Sequence, residues 1–130
     1  MAKTSKNIIV DYNPKGGPIT LEVLAGFATL GEFVLASRPK GSFEFSEWGK
    51  DPKRIDDDMN DIFVVPFDLA RLDDFIILIL GKYGPAPEKT QIKVEYLFLQ
   101  DGDELLKTTI EETTDEPFKR YTHKYSFRKT

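Results

Sequence analysis

The chain is 130 residues long, 40% hydrophobic and 31% charged, with a net charge of −4 and no cysteine. That is enough for one domain with a sizeable core, and the composition is that of a folded protein rather than a disordered segment or a membrane span. Without cysteine there is no disulfide, no thiolate nucleophile and no thiolate metal site.

Taken in chain order, the pattern is β throughout. Ile8-Ile9-Val10 reads as a short first strand, ended by the turn residues Asn13 to Pro18. Ile19, Leu21, Val23, Ala25 and Phe27 alternate with polar positions, and Phe33 and Leu35 continue that period of two before Pro39-Lys40-Gly41 turns the chain. Ser42 to Glu47 alternates cleanly, predicting a strand with Phe43 and Phe45 in the core. A polar connection from about Gly49 to Asp61 follows. Ile62-Phe63-Val64-Val65 is of the buried-strand type and is closed by Pro66. Phe67 to Asp74 suits one or two helical turns.

Phe75 to Leu80 is continuously apolar, and Gly81 to Lys89 reads as a loop because of Gly84, Pro85 and Pro87. Gln91–Gln100 and Leu105–Glu111 flank Asp101-Gly102, a strong local hairpin signal. The last strand, about Phe118 to Arg128, has an aromatic set (Tyr121, His123, Tyr125, Phe127) opposite a basic one. Such a strand suits a sheet edge, where charge discourages edge-to-edge pairing. These elements predict an all-β, antiparallel β-sandwich of about eight strands, of jelly-roll or immunoglobulin/C2-like type. It forms a single domain over residues 1–130 with at most one short helix near 67–74. A closed barrel is the alternative.

Charge is unevenly spread along this pattern. Residues 1–54 carry eight Lys/Arg and six Asp/Glu, residues 55–116 carry five and sixteen, and residues 117–130 carry five and none. Segregation of this kind bears on association rather than on fold. The segment Met1–Asp11 has too short an apolar run for a signal peptide. Phe75–Leu80 is far short of the ~20 residues that a membrane helix needs. A cytoplasmic protein without a membrane span is therefore expected.

Few residues carry chemistry. Asp56, Asp58 and Asn60 mimic the start of an EF-hand loop, but Asp61 stands where glycine is required and Phe67 where the bidentate glutamate belongs. A different calcium geometry, with loops gathered at one end of a sandwich, would use Asp56, Asp57, Asp58 and Asp61. Asp101 and Asp103, or Asp73 and Asp74, would join if those loops are neighbours. A solvated acidic loop is the plainer reading. His123 is the lone histidine, and on the aromatic set of a strand it reads as packed rather than catalytic.

No nucleophile motif, phosphate-binding glycine pattern or cofactor motif is present, so an enzyme is not expected. Outward glutamates at positions 22, 32, 44 and 95 offer only a weak case for a carboxylate pair. The basic last strand sets its cations and aromatics on opposite sides, which disfavours nucleic acid as a partner.

What remains is a surplus of apolar side chains. A half-buried strand needs one apolar face, yet Phe75–Leu80 and the end of Gln91–Gln100 have two. Ile76, Leu78, Leu80, Leu97 and Leu99 must therefore be covered by their own chain or by another. The expected function is a non-enzymatic protein-interaction or assembly module, self-associating as a homo-oligomer through these five residues with Arg120, Lys124 and Arg128 as a charged rim. A calcium-dependent module built on the acidic loop is the alternative.

Overall fold

A computed structural model describes residues 3–26, 29–39, 44–51, 60–65 and 74–129 of the chain. Among them are nine strands: β1 (Lys3–Tyr12), β2 (Ile19–Gly26), β3 (Leu30–Pro39), β4 (Ser46–Asp51), β5 (Asn60–Val64), β6 (Phe75–Gly84), β7 (Gln91–Gln100), β8 (Asp103–Thr113) and β9 (Lys119–Lys129). They form two open sheets, ordered β1-β9-β6-β3-β4 and β5-β2-β7-β8. The all-β sandwich is thus present, and the closed barrel is not. Only β3–β4 and β7–β8 are consecutive neighbours in a sheet; every other described connection passes from one sheet to the other. That winding makes both sheets depend on the same interior.

Alternation builds the core. Ile19, Leu21 and Val23 of β2, Ile92, Val94, Tyr96 and Phe98 of β7, and Phe75, Ile77 and Ile79 of β6 point inward and are fully buried. The inward set of β9, Tyr121 to Phe127, meets them from the first sheet. At one end Phe75 and Phe127 stack with centroids 4.8 Å apart, and Tyr12 and Phe98 close on them edge-on at 5.3 and 5.0 Å. Offset and edge-on contacts of this kind add roughly 0.5–1.5 kcal/mol per pair beyond the area they bury.

Two pairs of buried hydroxyls are partnered within the core. Tyr83 and Tyr96 share a hydrogen bond of 2.6 Å, and the Tyr125 hydroxyl donates to Thr108 Oγ1 at 2.8 Å.

The β7–β8 hairpin turns on Asp101 and Gly102, both at positive φ (52° and 81°), the geometry of a type I′ turn. Glycine carries the second position at no steric cost.

Several elements depart from what the residue pattern predicts. The fourth strand lies at Ser46–Asp51, later than Ser42–Glu47, because a bulge beside Leu35 and Ala36 turns Trp48 inward. There its ring meets Phe63 edge-on at 6.3 Å. Phe45 is outside the core, at 36% exposure, with the Arg38 guanidinium 4.4 Å from its ring centroid; Phe43 lies outside the described residues. Both ends of the expected polar connection, Gly49–Asp51 and Asn60–Asp61, are therefore in strands, and residues 52–59 lie outside the described residues.

Ile62–Val64 is an edge strand rather than a buried one, since β5 pairs only with β2 among the described residues. Gly81–Gly84 continues β6 instead of forming a loop. Tyr83 anchors it, because its ring lies over Gly81 where a Cβ would sit. The first strand spans ten residues and pairs in parallel with β9, from Lys3 opposite Arg120 to Tyr12 opposite Lys129. Consequently β9 is an inner strand, flanked by β1 and β6, and the sandwich is not wholly antiparallel. The expected helical turns at Phe67–Asp74 lie outside the described residues except for Asp74.

Candidate interaction surfaces

The outward residues of β6 are the surplus set Ile76, Leu78 and Leu80. Register places Arg38, Ala36 and Val34 of β3 on one side of them and Ser126, Lys124 and Thr122 of β9 on the other. Val34, Ile76 and Leu78 are half-buried, and Leu80 is 43% exposed. Beyond β9, Ile9 of β1 faces the same way opposite Ser126 and is 56% exposed. This outer face of the first sheet is an apolar strip with a basic surround. Lys124 stands beside Leu78, Arg120 opposite Lys82, and Arg128 pairs with Asp11 at 3.1 Å.

Leu97 and Leu99 belong to a different surface. They point out of β7 in the second sheet, so the interior of the sandwich separates them from Ile76, Leu78 and Leu80. The five surplus residues therefore form two patches on opposite sides of the molecule. Across the second face, one row runs Ile62, Glu22, Leu97, Lys107 and the next runs Val64, Thr20, Leu99, Glu104. Ile62 and Val64 are 60% and 59% exposed. Glu95 accepts from Lys107 at 3.2 Å and Lys93 at 3.5 Å, and Lys93 also reaches Glu111 at 3.9 Å.

Ile9, Val34, Ile62 and Val64 extend these patches beyond the residues singled out from sequence. The signal for two of them was present: Ile62-Phe63-Val64-Val65 is apolar on both faces, as Phe75–Leu80 is. A two-sided run reads equally well as a strand buried on both sides, and edge position cannot be read from it.

Within the chain, β1 pairs at the edge of the first sheet rather than lying over its face, and Pro85–Pro87 follow the end of β6.

Of the remaining chemical candidates, those among the described residues are dispersed or engaged. Asp56, Asp57 and Asp58 lie outside the described residues. Asp61 is in β5 opposite Val23, four residues along β2 from the Ile19–Gln100 pair. At about 3.3 Å per residue this puts it ~13 Å from the Asp101 turn. Asp101 is occupied, its carboxylate accepting from Gly17 N–H at 3.0 Å. Asp74 accepts from Lys129 N–H at 3.3 Å. No group of three or more His, Asp or Glu positioned for a metal occurs among the described residues.

His123 is buried, its ring edge-on to Tyr96 at 5.4 Å. Tyr121, Tyr125 and Phe127 are buried as well, so they offer no stacking surface beside Arg120, Lys124 and Arg128. Of the outward glutamates, Glu22 and Glu95 share the second face, where Glu95 is held by two lysines, whereas Glu32 is on the first sheet.

No helix among the described residues is long and apolar enough to cross a membrane. No family model, curated protein or solved structure matches the chain.

Proposed function

We propose that the chain is a non-enzymatic interaction and assembly module that associates with further copies of itself through the outer faces of its sheets. The observation that supports this most is the apolar strip on the first sheet, where Val34, Ile76, Leu78 and Leu80 adjoin one another at outward positions around the buried Ala36. A second apolar group, Ile62, Val64, Leu97 and Leu99, stands on the opposite face. Full burial of each Leu or Ile side chain is worth roughly 1.5–3 kcal/mol. Contiguous apolar patches on a sheet face mark association surfaces more often than isolated exposed residues do.

The test is the solution mass of the wild type compared with the combined variant Leu78→Lys and Leu97→Lys. Both substitutions are at outward positions, so β-type circular dichroism is retained. The wild-type mass should rise with concentration, and the variant should stay at the protomer mass of 14.9 kDa. Equal masses for the two proteins over the same concentrations would reject the proposal.

A further inference from the structure

We infer that the self-association is heterologous, with the basic outer face of the first sheet of one copy seated on the acidic outer face of the second sheet of the next. This rests on the self-association proposed above and specifies its geometry. The first face presents Arg38, Lys82, Arg120, Lys124 and Arg128 against Asp11, Glu32 and Glu47. The second presents Glu22, Glu95, Glu104 and Glu111 against Lys93 and Lys107. The excess is cationic on one side and anionic on the other.

The central residues sharpen the contrast. Lys124 adjoins Leu78 in the first strip, and Glu22 stands between Ile62 and Leu97 in the second. Both are half-buried before any partner arrives. An isologous contact, face on like face, would bring Lys124 near its own symmetry mate, or Glu22 near its own. Bringing like charges together while removing water from both is unfavourable. The heterologous contact sets Lys124 against Glu22 within apolar surroundings on both sides.

Size and shape allow it. At about 4.8 Å between strands and about 3.3 Å per residue, strands of these lengths give faces of roughly 750 Å² and roughly 550 Å². The smaller lies at the low end of specific interfaces, which bury about 600–1,000 Å² per partner. Sheets stack face to face with strands within about 30° of alignment. Because the two faces lie on opposite sides of one sandwich, each added copy leaves one face of each kind free. The contact therefore propagates into a stack instead of closing at two copies.

Sedimentation velocity on five samples tests this: wild type, Lys124→Glu, Glu22→Lys, the double variant Lys124→Glu/Glu22→Lys, and an equimolar mixture of the two single variants. Circular dichroism and the urea midpoint of each variant confirm that it is folded, and Lys124→Gln and Glu22→Gln serve as milder substitutions with intermediate effects.

Wild-type mass should continue to rise past the dimer. Each single charge reversal should weaken association at least tenfold, because its own two faces then carry like charges. The double variant and the mixture should both recover it, because each restores opposite charges across every contact. If one reversal disrupts association and the other has no effect, the contact is isologous and the inference is overturned. A mass that saturates at the dimer also overturns it, while leaving self-association standing. A wild type that remains a protomer throughout removes self-association itself.

Discussion

Gln100 holds the turn at residues 13–18 against the β7–β8 hairpin. Its buried amide accepts from Asn13 N–H at 3.0 Å and donates to the Asn13 and Gly17 carbonyl oxygens at 2.7 and 3.1 Å. Asp101 beside it receives Gly17 N–H. This clamp fixes where the chain leaves β1 in the first sheet and enters β2 in the second. Removing the amide takes the partner from Asn13 N–H and the Gly17 carbonyl, while the Asn13 carbonyl still accepts from Gly16 N–H at 3.0 Å, so Gln100→Ala should lower stability by about 2 kcal/mol. Urea denaturation measures this; a midpoint unchanged within error would show that water replaces the amide without cost.

The buried tyrosines give a pH dependence. Burial, then the charge and hydrogen bond of Tyr83, push Tyr96 well above the usual 10.0. Burial also raises Tyr125, against a smaller lowering influence from its Thr108 hydrogen bond. The unfolded chain releases these protons near pH ~10 while the folded protein retains them. Their contribution to stability should thus be level below pH ~10 and fall as pH rises beyond it, by about tenfold in the folding equilibrium per pH unit for each tyrosine. Urea midpoints from about pH 8 upward check the onset, and an onset well below pH ~10 would exclude these residues as its cause.

At the scale of elements, β6 shows how alternation assigns two roles to one apolar run. Ile77 is fully buried, whereas its neighbour Leu78 faces outward. Ile77→Ala should cost about 2–5 kcal/mol of folding stability. Leu78→Ala should cost much less in folding while weakening association, a separation visible by comparing urea midpoints with solution mass. Similar folding losses for both would mean that the outward set is needed to hold the sheet together.

The same scale explains which elements were legible. Strands β2 and β9 and the first half of β7 were plain because alternation states both the element and its inner face. Asp101-Gly102 stated the hairpin because a two-residue turn is a local event. The parallel pairing of β1 with β9 had no local signal, since its partners are over one hundred residues apart in sequence, as Lys3 and Arg120 are.

Gly81–Gly84 was misread because glycine and proline punctuate loops, whereas here the strand is held by the Tyr83 ring and hydroxyl. At β4 the alternation was a false guide for Phe45, because the inward anchor is Trp48 at a bulge. The surplus residues were recognised from their pattern alone. Their division between two faces followed from sheet membership, which one strand's pattern does not contain.

At the scale of the whole molecule, the sandwich is a slab with two outer faces, each joining an apolar group to an excess of one charge. The uneven charge of the sequence thereby becomes spatial: the basic last strand supplies most cations of the first face, and β2, β7 and β8 supply the anions of the second. Apolar burial would provide the strength of a stacked contact, and opposite charge its orientation. Salt should weaken the orienting part more than the apolar part, because the Debye length is about 10 Å at 0.1 M and shrinks as salt is added. Sedimentation equilibrium of the wild-type chain across a wide concentration range, at low salt and again at high salt, tests the central claim most directly. The predicted result is a weight-average mass that climbs with concentration above 14.9 kDa and climbs less steeply at high salt; a mass fixed at that value throughout would contradict it.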